Sequence, residues 1–349
     1  MANIIEIENR KIGEGHPPVV IAEIGINHGG SIEVAFKMVD AAVSAGAEII
    51  KHQTHISEDE MSPHAMKIIP PHTKQSIYEI IDSCSLTEEE EFKLFDYIKS
   101  KNRIALSTPF SRAAVDRLVK YDISAFKIGS GECNNYPLIE YLSNFKKPTI
   151  LSTGMNSLKT IEPSVEILRK NKINFALLHC CNIYPTPYKD VRLDCITLLK
   201  DKFPDAVVGL SDHTISNYSS FGAVALGASI IERHFTDRMD REGPDIICSM
   251  DPDALSELIT GINAIYESKG NTKDITEGEK GVFEFANSSL VSIKDIDENE
   301  LFTIENIWLK RPGNGELHSD DFKKVLGKKS KNKICKDSQI KISDIDWSC

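Results

Sequence analysis

The sequence predicts an α/β protein in which a (β/α)8 TIM barrel is followed by a small β-rich domain. Eight short apolar runs, each ending in polar residues or glycine, have the character of buried parallel strands. Segments with a helical spacing of apolar residues separate these runs. Eight alternating units favour a closed barrel over an open doubly wound sheet, and no GxGxxG motif follows a run to indicate a dinucleotide fold.

The predicted barrel strands are, in chain order, VVIAEIG (19–25), EIIKHQT (48–54), IALSTPF (104–110), AFKIGSG (125–131), PTILSTG (148–154), FALLHCC (175–181), AVVGLSDH (206–213) and IIERHFT (230–236). Helical spacing is clear after the first run, in IEVAFKMVDAAVSAG, and after the third, in RAAVDRLVKY. The connection over 55–103 is much longer than the others, so we expect part of it to form a lid or rim. Its EEEE stretch is expected to be a solvated first turn of a helix rather than a metal site.

A change of character near residue 270 predicts a domain boundary. The barrel is assigned to 1–270, and the polar stretch GNTKDITEGEKG leads to a linker at 271–282. Residues 283–349 contain the short alternating segments SLVSIKDI, LFTIENIWLK and QIKISDI, which predict a small all-β module. Because so short a module has a modest core, we expect it to pack on the barrel or on a partner subunit.

Composition excludes several classes of protein. The chain has 349 residues, 41% hydrophobic and 27% charged, with no apolar run long enough to span a bilayer. Its net charge of −11 argues against a nucleic-acid binder. The amino terminus lacks the features of a secretion signal, and the eight cysteines show no paired spacing. We therefore expect a cytoplasmic protein with reduced thiols and neither a membrane nor a nucleic-acid partner.

Polar side chains at the carboxyl ends of the predicted strands are the candidates for a functional site, because active sites of such barrels lie there. They are Glu23, Asn27, His28, Lys51, Gln53, Thr108, Lys127, Ser130, Glu132, Ser152, Asn182, Tyr184, His213 and His234. His213 and His234 follow different strands, so their neutral imidazoles could converge on a divalent metal. Separate structural roles for the two histidines are the alternative.

Lys51 and Lys127 lie within otherwise apolar strands, where an ammonium group requires an anionic partner. Internal salt bridges with Glu23 or Glu132 would satisfy them. The other interpretation is a pocket for a phosphate and a carboxylate, completed by the glycine-rich turns GSG and STG and by hydroxyl donors. These donors are Thr108, Ser130 and Ser152. A Schiff-base lysine also remains open.

In the small domain, KRPGNGE (310–316) places Arg311 before a Pro-Gly-Asn-Gly turn. Its glycines permit positive φ angles, and such a turn would leave Arg311 projecting. By itself this turn is weak evidence of a binding site.

Nine segments, in this order, resemble those of the sialic acid synthases, in the form of the bacterial NeuB family. They are EIGINHGG (23–30), KHQTHISEDEM (51–61), STPFSR (107–112), KIGSGECNNYPLI (127–139), LSTGMNS (151–157), CNIYPTPY (181–188), GLSDHT (209–214), ERHFTDRMDREGPD (232–245) and KRPGNG (310–315). The resemblance covers nearly the whole chain.

The resemblance implies a TIM barrel linked to an antifreeze-like (SAF) domain, in a homodimer where each SAF domain caps the partner's barrel in a domain-swapped arrangement. It also implies N-acetylneuraminate synthase activity. In that reaction phosphoenolpyruvate condenses with N-acetylmannosamine and water, giving N-acetylneuraminate and phosphate by C–O cleavage. The implied cofactor is a divalent metal ion, Mn2+ in the first place, with Mg2+ or Co2+ as alternatives.

The resemblance also implies roles for individual residues. His213 and His234 would hold the metal, and Glu23 would lie beside the sugar aldehyde or the attacking water. The phosphoenolpyruvate site would comprise Lys51, Thr108, Lys127, Ser130, Ser152 and Asn182. The sugar site would comprise Gln53, Phe110, Glu132, Tyr184, Asp245 and, in the SAF domain, Phe285 and Arg311.

Other functions stay open at this point. The sugar could be a diacetylated relative leading to legionaminic or pseudaminic acid, or a 6-phosphorylated N-acetylmannosamine. The chain could instead be a non-catalytic sugar-binding barrel. A barrel aldolase that uses a lysine Schiff base would need no metal and would be trapped by borohydride.

Overall fold

A computed structural model describes residues 3–69, 75–270 and 272–348. The chain divides into two compact units, Met1–Lys269 and Gly270–Cys349. Within the described residues, no helix is both long and apolar enough to cross a membrane. The seven cysteines among them are all free, and Cys349 lies outside the described residues.

A β-hairpin that the sequence analysis did not predict begins the first unit. Its antiparallel strands are β1 (Ile4–Ile7) and β2 (Arg10–Gly13). Ile5, Ile7 and Ile12 are fully buried and pack with the residues that begin the barrel strands, such as Val19. The hairpin therefore covers the amino-terminal end of the barrel with apolar side chains, opposite the end expected to hold the site.

Eight parallel strands form a closed barrel, as predicted, with β10 paired to both β3 and β9. They are β3 (Val19–Gly25), β4 (Ile49–Thr54), β5 (Ile104–Pro109), β6 (Phe126–Ile128), β7 (Thr149–Ser152), β8 (Phe175–Cys180), β9 (Val207–Asp212) and β10 (Ile230–His234). The fourth predicted strand, 125–131, is shorter than expected because the chain turns into a 3-10 helix at Ser130–Glu132.

Helices surround the barrel and fill the connections between its strands. They are α1 (Ile32–Ser44), α2 (Ser57–Glu60), α3 (Ile77–Cys84), α4 (Glu88–Ser100), α5 (Arg112–Tyr121), α6 (Tyr136–Ser143), α7 (Leu158–Lys170), α8 (Tyr188–Val191), α9 (Cys195–Lys202), α10 (Tyr218–Ala225) and α11 (Pro252–Glu267). Short 3-10 helices lie at Pro63–Lys67 and Ile246–Cys248. The long connection over 55–103 thus contains α2, a 3-10 helix, α3 and α4, while its residues 70–74 lie outside the described part.

The EEEE stretch at the start of α4 is not solvated throughout, which corrects the expectation from sequence. Glu91 is fully buried, and Thr54 donates a hydrogen bond to its carboxylate. Arg117 Nη1 lies 3.2 Å from Glu91 Oε2. Glu91 shares a helix face with the buried residues Leu94 and Phe95, because residues three and four apart lie on one side of a helix. Burial raises the pKa of Glu91 to about 7.

The second unit has a small apolar core between short strands and helices. Its elements are α12 (Lys280–Ala286), β11 (Ser289–Ser292), β12 (Ile307–Lys310), α13 (Ser319–Val325), β13 (Lys329–Ser330) and β14 (Ile345–Asp346), with 3-10 helices at Glu277–Glu279 and Ile342–Asp344. Leu290, Phe302 and Ile345 are among its fully buried residues. The module is therefore not all-β, because helix α13 packs within it and the third predicted strand is partly a 3-10 helix.

The turn after Arg311 also differs from its predicted geometry. Neither Gly313 nor Gly315 has a positive φ. Both glycines are instead required by close packing, since a Cβ would lie 2.6 Å from Asn287 Cβ at Gly313 and 2.8 Å from Ser289 Cβ at Gly315. The side chain of Arg311 is exposed, as predicted.

Candidate active site

Two lysines and two glutamates alternate across the carboxyl end of the barrel. Lys51 on β4 forms an ion pair with Glu23 on β3. Its Nζ lies 3.7 Å from Glu232 Oε1 on β10, and Lys127 Nζ on β6 lies 3.3 Å from the same oxygen. All four side chains are nearly inaccessible to solvent. The internal salt bridge with Glu23, one of the alternatives from the sequence, is present, and the second acidic partner of the lysines is Glu232 rather than Glu132.

Burial changes the protonation of this cluster. Desolvation and the charge of Lys127 together lower the pKa of Lys51 to about 7, while Glu232 opposes the shift. Glu232 keeps a lowered pKa despite its burial, because the charges of Lys127 and Lys51 favour its carboxylate. Lys51 is therefore partly charged near neutral pH, and an anion placed beside it would favour its protonation.

Hydrogen-bonding groups surround the two lysines at neighbouring strand ends. Lys51 donates to Thr108 Oγ1 over 3.1 Å, and Lys127 donates to Ser152 Oγ over 2.8 Å. Ser130 Oγ accepts a hydrogen bond of 3.0 Å from the backbone N–H of Gly154. The structure thus brings together the cations and hydroxyl groups that the sequence predicted for an anion pocket.

Gly154 allows two predicted site residues to approach each other. A Cβ at this position would overlap Asn182 Oδ1 and would lie 2.8 Å from Ser130 Oγ. Asn156 Nδ2 donates to the carbonyl oxygens of Ser130 and Gly154, over 3.0 and 2.8 Å, and holds this turn in place. Asn182 therefore lies beside Ser130, at the edge of the pocket that holds Lys127.

His213 and His234 lie together, with ring centroids 5.3 Å apart. His213 Nδ1 donates to the carbonyl oxygen of Cys181 over 2.9 Å, which leaves the Nε2 lone pair available. His234 Nδ1 is buried without a hydrogen-bond partner and lies 3.6 Å from Asp245 Oδ2. Desolvation lowers the pKa of His213 to about 4 and that of His234 to about 3, so both rings are neutral at pH 7.

These two imidazoles have the chemistry required to bind a divalent cation. A neutral imidazole with a free lone pair is a ligand for Mn2+ and similar ions, and a hydrogen bond from its other nitrogen to a carbonyl fixes the ring. The orphaned nitrogen of His234 fits this role. No group of three or more His, Cys, Asp or Glu side chains that could hold a metal occurs among the described residues.

Several of the residues predicted for the sugar site lie near the same end of the barrel, within the first unit. Tyr184 stacks on His213 with ring centroids 4.1 Å apart. Glu132 Oε2 is buried without a hydrogen-bond partner, and desolvation together with the charge of Glu60 raises the Glu132 pKa to about 7. A Cβ at Gly129 would lie 3.0 Å from that oxygen and 3.4 Å from Phe110. Glu132 and Phe110 therefore both lie next to Gly129.

Two predicted sugar-binding residues belong to the second unit. Arg311 follows β12, and Phe285 on α12 has 70% of its surface exposed. Exposure leaves both side chains available to bind a ligand or another surface.

Two further strand-end candidates contact neighbouring segments of the barrel. Asn27 Nδ2 donates to the Phe235 carbonyl and to Ser249 Oγ, over 3.0 and 2.9 Å, and so connects the segment after β3 to the end of β10. His28 packs beside His52 with ring centroids 5.2 Å apart, and burial lowers its pKa to about 4.

Comparison with known proteins identifies the family. The NeuB family model matches residues 38–274, and the SAF domain model matches residues 287–346. The chain belongs to the NeuB family. The resemblance found in the sequence is confirmed, as is the prediction of a TIM barrel with a SAF domain.

Relatives of the chain extend over almost its full length. An uncharacterised protein of Methanocaldococcus jannaschii is 37% identical and covers 98% of both chains. The N,N'-diacetyllegionaminic acid synthase of Campylobacter jejuni is 36% identical and covers 89% of this chain and 95% of its own. The crystal structure of N-acetylneuraminic acid (sialic acid) synthetase from Leptospira borgpetersenii, in complex with citrate, is 31% identical. It has a TM-score of 0.75 and covers 81% of this chain and 96% of its own. The prediction of a synthase is confirmed at the level of the family.

Sequence reasoning missed Glu232, although a signal for it was present. Residues two apart on a strand point to the same side of the sheet, so Glu232 shares the barrel interior with His234. A buried acid in the barrel interior was therefore predictable from the alternation of β10 alone.

Proposed function

We propose that this NeuB-family chain condenses phosphoenolpyruvate with N-acetylmannosamine to form N-acetylneuraminate and phosphate. The observation that carries the proposal is the buried charge cluster of Glu23, Lys51, Glu232 and Lys127, which lies at the same barrel end as the neutral pair His213 and His234. The two lysines of the charge cluster are suited to an anionic substrate, and a cation held by the two histidines would be suited to a carbonyl oxygen. Their proximity suits a reaction that joins the two.

Lys51 and Lys127 would bind the phosphate and carboxylate of phosphoenolpyruvate, with further hydrogen bonds from Thr108, Ser130, Ser152 and Asn182. Glu23 and Glu232 accompany the lysines before the substrate enters, so the cluster carries no excess positive charge. A bound anion would favour the charged form of Lys51. Preorganised cations and hydroxyl groups would also stabilise the phosphate as it gains charge on leaving.

Carbon–carbon bond formation uses the enol π electrons of phosphoenolpyruvate. C3 attacks the aldehyde carbon of the open-chain sugar, whose oxygen takes up a proton to become a hydroxyl group, and water adds to C2 and loses a proton. The C2–O bond then breaks, so that phosphate leaves with the bridging oxygen. Glu23, held by Lys51, would accept a proton from the attacking water or orient the aldehyde, and fixed geometry would hold C3 against the aldehyde carbon.

His213 and His234 are the residues that would hold a divalent metal, with Mn2+ as the proposed ion and Mg2+ or Co2+ as alternatives. The metal would supply Lewis-acid polarisation of the aldehyde. With only two protein ligands proposed, it should exchange readily with solution and be removed by a chelator.

The sugar would be bound by Gln53, Phe110, Glu132, Tyr184 and Asp245. Near neutral pH the Glu132 carboxyl is half-protonated, so it can donate as well as accept a hydrogen bond. Such a group suits a ligand that carries both hydroxyl and amide functions.

A diacetylated sugar is a second candidate, since the Campylobacter jejuni relative is a diacetyllegionaminic acid synthase. The 6-phosphorylated sugar is less suited to the loop after β10. A sugar phosphate would need an unpaired cation, but the arginines of this loop already form ion pairs. Arg238 pairs with Asp240 over 3.2 Å, and Arg241 pairs with Asp237.

We further propose a homodimer in which the SAF domain of one subunit caps the barrel of the other and contributes Arg311 and Phe285. Supporting this, large apolar side chains are exposed on the loops and helices that follow barrel strands: Met155, Ile183, Tyr184, Ile215, Tyr218, Met239 and Ile247. Exposed apolar patches of this kind mark interaction surfaces. Arg311 would bind the N-acetyl carbonyl of the sugar.

The test supplies phosphoenolpyruvate with mono-acetylated, diacetylated and 6-phosphorylated sugars, with and without chelator, and follows phosphate and ketoacid. We expect metal-dependent turnover of N-acetylmannosamine. Metal-independent turnover would remove the proposed role of the histidines. Trapping by borohydride would favour a Schiff-base aldolase, for which Lys51 would be the nucleophile. Sugar binding without turnover would indicate a non-catalytic barrel.

A further inference from the structure

His55 is a buried histidine to which the proposed mechanism gives no role. It directly follows β4 and is 5% exposed. Its ring stacks on Phe110, with centroids 4.4 Å apart and an interplanar angle of 10°. Its Nδ1 lies 2.7 Å from Glu60 Oε2, and its Nε2 lies 3.0 Å from Gln53 Oε1. The ring thus contacts two residues proposed to bind the sugar.

These two hydrogen bonds orient the amide of Gln53. An amide oxygen can only accept, so His55 Nε2 donates the hydrogen bond to Gln53 Oε1, while His55 Nδ1 faces the Glu60 carboxyl group. The amide nitrogen of Gln53 then faces away from His55. A Cβ on Gly25 would lie 2.9 Å from Gln53 Nε2 and 2.7 Å from Glu23 Oε1. The donor end of Gln53 is therefore presented on the side of the opening where Glu23 lies.

Glu60 has a fixed support. It ends the short helix α2, in which Asp59 accepts a hydrogen bond of 2.9 Å from the backbone N–H of Ala113 in α5. This contact connects α2 to the helix that follows β5. A side chain held in this way can transmit its position through His55 to Gln53.

We propose that His55 is a positioning residue of the sugar site, which holds the Gln53 amide with its nitrogen toward the bound sugar and supports the ring of Phe110. This inference rests on the proposed function, because the sugar is the ligand that the amide would meet. His55 contacts Gln53 and Phe110 rather than the reacting atoms, so its effect should appear in sugar affinity.

The test uses the full-length protein with phosphoenolpyruvate and the acetamido sugar that it turns over. His55→Phe keeps a ring against Phe110 and removes both hydrogen bonds. We expect the KM for the sugar to rise by about tenfold, because the loss of one buried hydrogen bond has an effect of about this size. The KM for phosphoenolpyruvate should not change. The control is His64→Phe, since His64 is exposed, and its KM values should match those of the wild type.

A double-mutant cycle separates positioning from a general structural effect. If His55 acts mainly through Gln53, His55→Phe should change the sugar KM by less than about twofold in a Gln53→Ala background. Glu60→Gln should raise the sugar KM in the same direction by a smaller factor, and it serves as the test if His55→Phe does not fold. Both predictions concern affinity rather than melting temperature.

The outcomes distinguish this inference from the proposed function. An unchanged sugar KM in His55→Phe, or an equal rise with and without Gln53, would overturn the role of His55 while leaving the synthase activity intact. A parallel rise in both KM values with a lower Tm would indicate only a structural role. If the wild type turns over no acetamido sugar, the proposed function fails and the role of His55 fails with it.

Discussion

Removing the charge of Lys127 should affect stability and substrate binding by different mechanisms. In Lys127→Met, Glu232 keeps only Lys51 as a cationic partner, at 3.7 Å instead of the 3.3 Å to Lys127. Breaking a buried ion pair costs about 3–5 kcal/mol, and we expect the lower end because Lys51 remains. The lost charge-assisted hydrogen bond to phosphoenolpyruvate costs about 1.5–3 kcal/mol, or about 10- to 150-fold in affinity.

A second substitution separates these two effects. Lys127→Met with Glu232→Gln removes the uncompensated carboxylate, so most of the lost stability should return. The affinity for phosphoenolpyruvate should stay low, because no cation replaces Lys127. Urea denaturation measures the first effect, and titration calorimetry with phosphoenolpyruvate measures the second. Wild-type affinity and turnover in the double variant would refute the role of Lys127 in substrate binding.

Three further predictions follow from burial and close packing. Phosphoenolpyruvate affinity should fall as pH rises above about 7, by up to tenfold per pH unit, because Lys51 loses its proton. Calorimetry in buffers of different ionisation enthalpy should detect proton uptake on binding at pH 8. An affinity that does not change with pH, without proton uptake, would contradict this prediction. Gly154→Ala should raise the KM for phosphoenolpyruvate at least about tenfold because its Cβ displaces Asn182, and steady-state kinetics that match the wild type would show that this turn is not part of the site. The pKa of Glu91 is about 7 in the folded state and about 4.5 in the unfolded state. Between these two pH values the folded protein keeps a proton on Glu91 that the unfolded chain has lost, so the free energy of unfolding falls as pH rises from about 4.5 to about 7. Glu91→Gln should therefore reduce the difference in Tm between pH 5 and pH 8, and an unchanged difference would show that Glu91 does not titrate in this range.

The barrel was predictable because each strand repeats the same local pattern. An apolar run that ends in polar residues identifies a buried strand and its functional end together, as in the run that leads to Lys51. The amino-terminal hairpin was missed because its strands are only four residues long, too short for alternation to stand out. Its role depends on the barrel end that it covers, which no local pattern records.

Within the site, the identity of the polar residues was easier to predict than their partners. Strand alternation places Lys127 in the barrel interior, but its pairing with Glu232 depends on barrel closure, which brings distant strands together. Glu91 was assigned to solvent because its neighbours in sequence are acidic, whereas its spacing from Leu94 would have placed it on the buried face. The contacts of His55 depend on a short helix and on Phe110 from another strand end, so they follow from tertiary structure alone.

The fate of the bridging oxygen of phosphoenolpyruvate tests the proposed reaction most directly. The protein would be supplied with Mn2+, N-acetylmannosamine and phosphoenolpyruvate labelled with 18O in the C2–O–P bridge, and the products would be analysed by mass spectrometry. C–O cleavage predicts a nine-carbon ketoacid without the label and phosphate that carries it. A ketoacid that retains the 18O, or no ketoacid from any acetamido sugar, would contradict the account.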